Sequence, residues 1–171
     1  MNAEKDNKAV FSVLTVDHPG VLLRVTGLFS RRGFNIDSIV ACKTQTPGLS
    51  RWTLVVAGDE AAFTQLQRQL LKMEDVVKVE VLEAASCSCS ELLLIKLKAD
   101  ADGRSAVLRE AQTHGGRVLD IGDTTITLEL TGRPEQIDQF LEKLDGFGIV
   151  EMARTGLTAM ERGDATIHNE D

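Results

Sequence analysis

Apolar residues recur along the first third of the chain with two spacings, one typical of strands and one of helices. Residues 10–16 form a β-branched, apolar run that predicts a buried strand. In the following segment, Asp17-His18-Pro19-Gly20, Pro19 suits a first helical turn and Asp17 or His18 precedes it at the cap. The next apolar side chains have the spacing of one helix face: Val21, Leu22, Val25, Leu28 and Phe29. Gly33 predicts a left-handed end to this helix.

The same two spacings continue through the rest of the first half. Residues 36–42 and 52–57 predict two strands, and the Pro47-Gly48 turn between them makes them a hairpin. A helix opening at Gly58-Asp59 and a strand over residues 76–82 complete the half. The predicted order of elements is therefore βαββαβ.

The second half repeats this order. Predicted strands cover residues 92–99, 117–121, 124–130 and 147–153, and predicted helices cover residues 104–113 and the stretch that follows Pro134. A βαββαβ unit forms a four-stranded antiparallel sheet with both helices on one face. The sequence thus predicts an α+β protein made of two ferredoxin-like units.

Four segments follow from this pattern. Residues 9–84 and 91–163 are the two predicted domains, and the small, polar segment 85–90 is predicted to be a linker. Residues 164–171 lose periodicity and are expected to form a frayed tail.

The predicted strands carry apolar residues on both faces, although the helices would cover one. In the first strand Val10 and Leu14 lie on one side and Phe11 and Val13 on the other. Units of this size bury little surface alone, so the open faces or edges are expected to pair with another unit. A homodimer is the simplest such pairing, since twofold pairing is the commonest oligomer.

Composition narrows the class of protein. The net charge of −7 disfavours nucleic-acid binding as the main task, and aromatic residues make up 4%, so the core must be aliphatic. The sequence contains no apolar run long enough to span a membrane, and its first residues are polar, which predicts a cytoplasmic location. Three cysteines are not expected to form a disulfide framework there.

The chemistry-bearing residues do not form a catalytic set. Histidine is scarce, the carboxylates form no evident pair, and phosphate-binding glycine motifs are missing, which argues against an enzyme. Cys87 and Cys89 form a Cys-x-Cys pair, but a metal site needs about four ligands and no second pair lies nearby. Cys42, on a predicted strand, is expected to be a small core residue. No catalytic and no metal-binding residue is predicted.

A ligand site is predicted where the first strand gives way to the first helix. Free N–H groups at a helix start favour an anion, and Gly20 permits close approach because it has no Cβ. Asn35 could bond to a ligand's other polar end, while Val21, Leu22 and Ile36 could hold an aliphatic side chain. The alternative is an ordinary capped helix with a turn asparagine.

Several motifs resemble one protein family. Residues 16–22, Val-Asp-His-Pro-Gly-Val-Leu, resemble the start of ACT domains, which bind amino acids and regulate metabolic enzymes. Residues 27–38 (GLFSRRGFNIDS), 47–51 (PGLSR) and 147–156 (FGIVEMARTG) are similar to the small-subunit family of acetolactate synthase, also called acetohydroxyacid synthase. The resemblance covers residues 10–163, in the same order.

The resemblance implies a regulatory subunit without catalysis or a cofactor of its own. Its partner would be the catalytic subunit, which is expected to carry thiamine diphosphate, magnesium and FAD. The small subunit would raise the activity of that partner and confer feedback inhibition by a branched-chain amino acid, usually valine. It would form a homodimer through its ACT domains.

The family also implies where the effector sits, at the interface of two ACT domains. One chain would contribute Asp17, His18, Pro19, Gly20, Val21 and Leu22, and its partner Asn35 and Ile36. Many valine-binding members have Asn at the position of Asp17, and Asp can accept from the effector's ammonium but cannot donate to its carboxylate.

Two other functions remain open at this point. A free-standing ACT-type amino-acid sensor that regulates another biosynthetic enzyme or a transcription factor would share the first half of the chain, although the 147–156 segment argues against it. A metal-handling protein would use Cys87 and Cys89. Which branched-chain amino acid binds best is also open, because one methylene changes affinity by only about 1–3 kcal/mol.

Overall fold

Two βαββαβ units follow one another along the chain, as the alternation of spacings predicts. The computed structural model describes residues 7–83, 87–100 and 103–168. The first unit comprises Met1–Cys89 and Leu157–Asp171, and the second comprises Ser90–Gly156.

The described residues of the first unit form four strands and two helices before its C-terminal segment. They are β1 (Lys8–Val16), α1 (Val21–Arg32), β2 (Ile36–Lys43), β3 (Leu49–Ala57), α2 (Glu60–Leu70) and β4 (Val76–Leu82). The antiparallel sheet has the order β2-β3-β1-β4, so β1 lies between β3 and β4. Phe11 and Leu54 are fully buried on the helix side, where they join Leu66 of α2 in the core. The predicted ferredoxin-like arrangement is confirmed.

Helix α1 begins later than the sequence predicts. Its N-cap is Gly20, with φ at +92°, so the prediction that Asp17 or His18 caps a helix containing Pro19 is wrong. The left-handed Gly20 turns the chain so that its carbonyl oxygen accepts from Arg24 N–H at 3.1 Å. Gly33, with φ at +72°, ends the helix as predicted.

The second unit repeats this architecture. Its elements are β5 (Cys87–Lys98, whose first three residues lie in the first unit), α3 (Arg104–Thr113), β6 (Arg117–Ile121), β7 (Thr125–Gly132), α4 (Pro134–Leu144), a 3-10 turn (Asp145–Phe147) and β8 (Ile149–Arg154). The strands follow the order β6-β7-β5-β8. Leu93, Ile95 and Leu97 of β5 alternate into a core that also contains Phe140. In this unit too, alternate strand residues pack against the helices.

The structure has a strand where the sequence analysis predicts a linker. Of the segment 85–90, residues 85 and 86 lie outside the described ranges, and β5 begins at Cys87. Cys87 is buried, Ser88 is exposed and Cys89 is half-buried, which is the period of a strand. Small side chains give this alternation little hydrophobic contrast, so the sequence pattern alone does not indicate it.

The C-terminal segment also differs from its prediction. Residues 157–163, predicted to be in the second domain, belong to the first unit and contain strand β9 (Thr158–Glu161). Leu157 and Ala159 are buried against Val10 and Leu82, on the sheet face opposite the helices. This part of the face, expected to need another unit, is covered by the chain's own segment.

The predicted tail is likewise partly packed. Ile167 is 2% exposed, so residues 164–168 do not behave as a frayed tail. Residues 169–171 lie outside the described ranges. Ile167 is a single apolar residue between polar residues in the sequence. The tail therefore has no hydrophobic period that would predict the burial of this side chain.

Candidate functional site

A cavity of about 380 Å³ lies at the start of α1, within the first unit. Its wall contains six residues that the sequence analysis selects, namely Asp17, His18, Pro19, Gly20, Val21 and Leu22. Strands β2 and β3 complete it with residues that sequence reasoning missed: Ala41, Cys42, Lys43, Ser50 and Trp52, together with Val16 of β1. The strand–turn–helix junction is therefore the floor of a cavity large enough for a small ligand.

Backbone hydrogen bonds fix the loop at both of its ends. The Val16 N–H donates to the Asp75 carbonyl oxygen at 2.9 Å, and the Asp17 N–H donates to the Gly48 carbonyl oxygen at 2.7 Å. The loop is thus held between the turn of the β2–β3 hairpin and the segment before β4. Such anchoring keeps the start of α1 in one geometry.

The start of α1 has the character of an anion site. The first N–H groups of a helix have no partner within it, and the helix dipole places partial positive charge there. Gly20 brings no side chain to this end, and the first turn contains no acidic residue. A carboxylate of a bound molecule could accept from these backbone donors.

The rest of the cavity offers apolar surface. Trp52 and Val21 are buried at 4% and 2% exposure, whereas Leu22 remains half exposed. A short aliphatic side chain would lose apolar surface to water against these groups. The combination of an anion site and an apolar wall suits a small aliphatic amino acid.

Two predicted site residues are not among those that line the cavity. Asn35 is exposed, and its amide nitrogen donates to the Asp37 carboxylate at 3.0 Å. Ile36 opens β2 opposite Val56 and packs against the core of its own unit. Their assignment to a partner chain's half of the site stays a prediction.

Sequence reasoning also missed an ion-pair cluster that contacts both the loop and the first turn of α1. The Asp75 carboxylate accepts from Arg24 Nε at 2.5 Å and from Arg24 Nη2 at 2.8 Å, and it lies 3.0 Å from His18 Nε2. The hydrogen bond from Arg24 lowers the pKa of Asp75, and the nearby His18 adds to that effect. Residues 51 positions apart meet here, a separation for which no periodic pattern exists.

The cysteines differ from their predicted settings. Cys42 lies on the edge strand β2 and is exposed, so the prediction that it is a core residue is wrong.

In the part of the chain that the structure describes, no group of three or more His, Cys, Asp or Glu side chains could hold a metal ion. None of the helices described has both the length and the apolar character that a membrane span requires.

Comparison with known proteins gives matches over nearly the whole chain. The family model "AHAS small subunit-like ACT domain" matches residues 11–78, and "Small subunit of acetolactate synthase" matches residues 90–163. The probable acetolactate synthase small subunit of Methanothermobacter thermautotrophicus is 44% identical over 92% of this chain and 95% of that protein. The isozyme 3 small subunit of Salmonella typhimurium is 39% identical over 92% and 97%, respectively.

One solved structure agrees over the same length. The crystal structure of the acetolactate synthase small subunit from Thermotoga maritima has a TM-score of 0.87 and 32% sequence identity. The match covers 93% of this chain and 99% of that one.

Proposed function

The chain belongs to the family of acetolactate synthase small subunits, and from that membership we propose that it activates the catalytic subunit and carries its feedback inhibition. The relatives are named as small subunits, so the chain is a small, regulatory subunit rather than a catalytic one. We propose further that the inhibitor is a branched-chain amino acid, with valine the first choice.

The cavity at the start of α1 is the observation that supports this effector. An amino acid's carboxylate would accept from the backbone N–H groups at Gly20 and beyond, and its side chain would lie against Trp52 and Val21. The ammonium would be near Asp17, whose carboxylate can accept hydrogen bonds. We expect Asn35 and Ile36 of a second copy to complete the site.

Regulation of this kind requires an assembly with the catalytic subunit, and that subunit is expected to carry the cofactors. The chain would form a homodimer through its ACT domains and bind the acetolactate synthase catalytic subunit. Thiamine diphosphate, magnesium and FAD would be held by that catalytic subunit, and none by this chain. Feedback then requires that the effector bind one arrangement of the complex more tightly than another, since equal affinity shifts no equilibrium.

The test is to add the purified chain to its catalytic subunit and measure acetolactate formation while valine, leucine and isoleucine are titrated separately. The proposal predicts higher activity on addition of the chain and a loss of that gain with valine. An unchanged rate without effector would refute activation, and an unchanged rate with all three amino acids would refute feedback. Calorimetry with the same three ligands ranks their affinities.

A further inference from the structure

We propose that Asp75, which lies between α2 and β4, is a positioning residue. It would hold the effector-binding loop, residues 17–20 between β1 and α1, in the geometry that binds the effector. This inference rests on the proposed function, because it assigns Asp75 a role in binding the amino-acid effector. Asp75 is not among the residues that line the cavity, so it would act through the loop rather than by touching the ligand.

Asp75 makes three contacts along the segment that runs from the end of β1 to the first turn of α1. Its carbonyl oxygen accepts from Val16 N–H at 2.9 Å, at the point where β1 ends. Its carboxylate lies 3.0 Å from Nε2 of His18, in the middle of the loop. The same carboxylate accepts two hydrogen bonds from Arg24, one turn into α1. One buried residue thereby connects the start, the middle and the far end of the segment that forms the anion site.

The contact with Arg24 has the geometry that fixes position. Two N–H donors of one guanidinium bond to the two oxygens of one carboxylate, an arrangement that restrains orientation as well as distance. Arg24 Nη1 also lies 3.3 Å from where a Cβ on Gly20 would be, so the guanidinium packs beside the helix start. Without Asp75, this cation would be free to leave that place or to move over Gly20.

The charges around Asp75 predict an effect on binding that exceeds the effect on folding. Arg24 is itself exposed, and ion pairs with an exposed partner add little to stability. The position of the N–H donors, by contrast, directly sets how well a carboxylate is held. Glu74, the neighbouring acid, is exposed and acts on Arg24 by its charge, so it is a matched control for the loss of a negative charge without the loss of the paired hydrogen bonds.

The experiment measures L-valine binding to the full-length chain by calorimetry, well below the unfolding temperature. We expect Asp75→Asn and Arg24→Gln each to raise the dissociation constant about tenfold, the size of a typical coupling between sites. The double variant should bind no more weakly than either single variant, because both remove the same restraint. Asp75→Glu should recover most of the lost affinity, and Glu74→Gln should bind as the unaltered chain does.

The outcomes separate this inference from the proposed function. If the unaltered chain binds none of valine, leucine and isoleucine, the proposed function itself fails. If it binds valine and Asp75→Asn and Arg24→Gln bind equally well, the positioning role is refuted while the proposed function stands. Additive losses in the double variant, or no recovery in Asp75→Glu, also refute it. Should Asp75→Asn fail to fold, Arg24→Lys decides the question, because it keeps the positive charge beside Gly20 but loses the paired hydrogen bonds to Asp75; valine affinity equal to that of the unaltered chain refutes the positioning role.

Discussion

Replacing Gly20 with aspartate tests the anion site directly. Gly20 has φ at +92°, and a Cβ there would lie 3.3 Å from Arg24 Nη1. The left-handed backbone costs an L residue about 1–2 kcal/mol, with Asp at the lower end because it tolerates that region. For a chain of this length we expect the Tm to fall by about 2–6 °C, which leaves the protein folded.

The effect on effector binding should be much larger. Two like charges about 4 Å apart at a partly exposed site repel each other by about 4 kcal/mol, and the Arg24 guanidinium offsets part of that repulsion. We therefore expect the affinity of Gly20→Asp for L-valine to fall by at least about a hundredfold. Gly20→Ala has the backbone strain without the charge, so its loss should be smaller.

The assay combines calorimetry with L-valine and thermal unfolding of each variant. Gly115 offers a matched control in the other unit, since its φ is +74° and a Cβ added there would have no neighbour within 4 Å. Gly115→Asp should lose similar stability and keep full valine affinity. Valine binding by Gly20→Asp at the unaltered affinity would show that the carboxylate is not held at the start of α1.

Three further predictions concern stability. Asp59 accepts from Ala62 N–H at 2.7 Å at the start of α2, so Asp59→Ala should lower the unfolding free energy by about 1 kcal/mol, and Asp59→Ser should restore most of it in urea titrations. Phe140 is fully buried, so Phe140→Ala should cost about 3–5 kcal/mol by the same assay, and a cost below about 1 kcal/mol would contradict its core position. The pKa of Asp75 lies below its ordinary 3.8 because of the hydrogen bond from Arg24, so its contribution to stability is complete above that pH and is lost as the pH falls further. The stability difference from Asp75→Asn should shrink correspondingly in unfolding curves below about pH 4, and a constant difference would refute this cause.

The elements of this fold were predictable where side chains alternate strongly between apolar and polar. Helix α3 lies at Arg104–Thr113 and β4 at Val76–Leu82, the bounds that the spacing predicts. Strand β5 extends further back than predicted because Cys87, Ser88 and Cys89 are too small to show a clear alternation. A local sequence pattern predicts a helix or strand well when the burial of each residue depends only on which face of that element the residue occupies.

The candidate site was predictable in its loop but not in its surroundings. Pro19 and Gly20 mark the turn before α1, and their neighbours in sequence line the cavity. The opposite wall comes from β2 and β3, including Trp52, which the sequence pattern indicates only as a strand residue. No sequence pattern indicates a role for Asp75, because its partners His18 and Arg24 are distant in the chain and only the folded sheet brings them close to it.

Period and turn chemistry are local properties, and they were enough to predict the two βαββαβ units and a glycine between the first strand and the first helix, although not the residue that caps that helix. What covers the first sheet and what restrains the loop depend instead on packing between distant segments. Arg51 donates to the Ala159 carbonyl oxygen across 108 residues, and Arg24 meets Asp75 across 51. Contacts at such separations depend on how strands and helices pack in space, and the order of residues within each segment does not encode them.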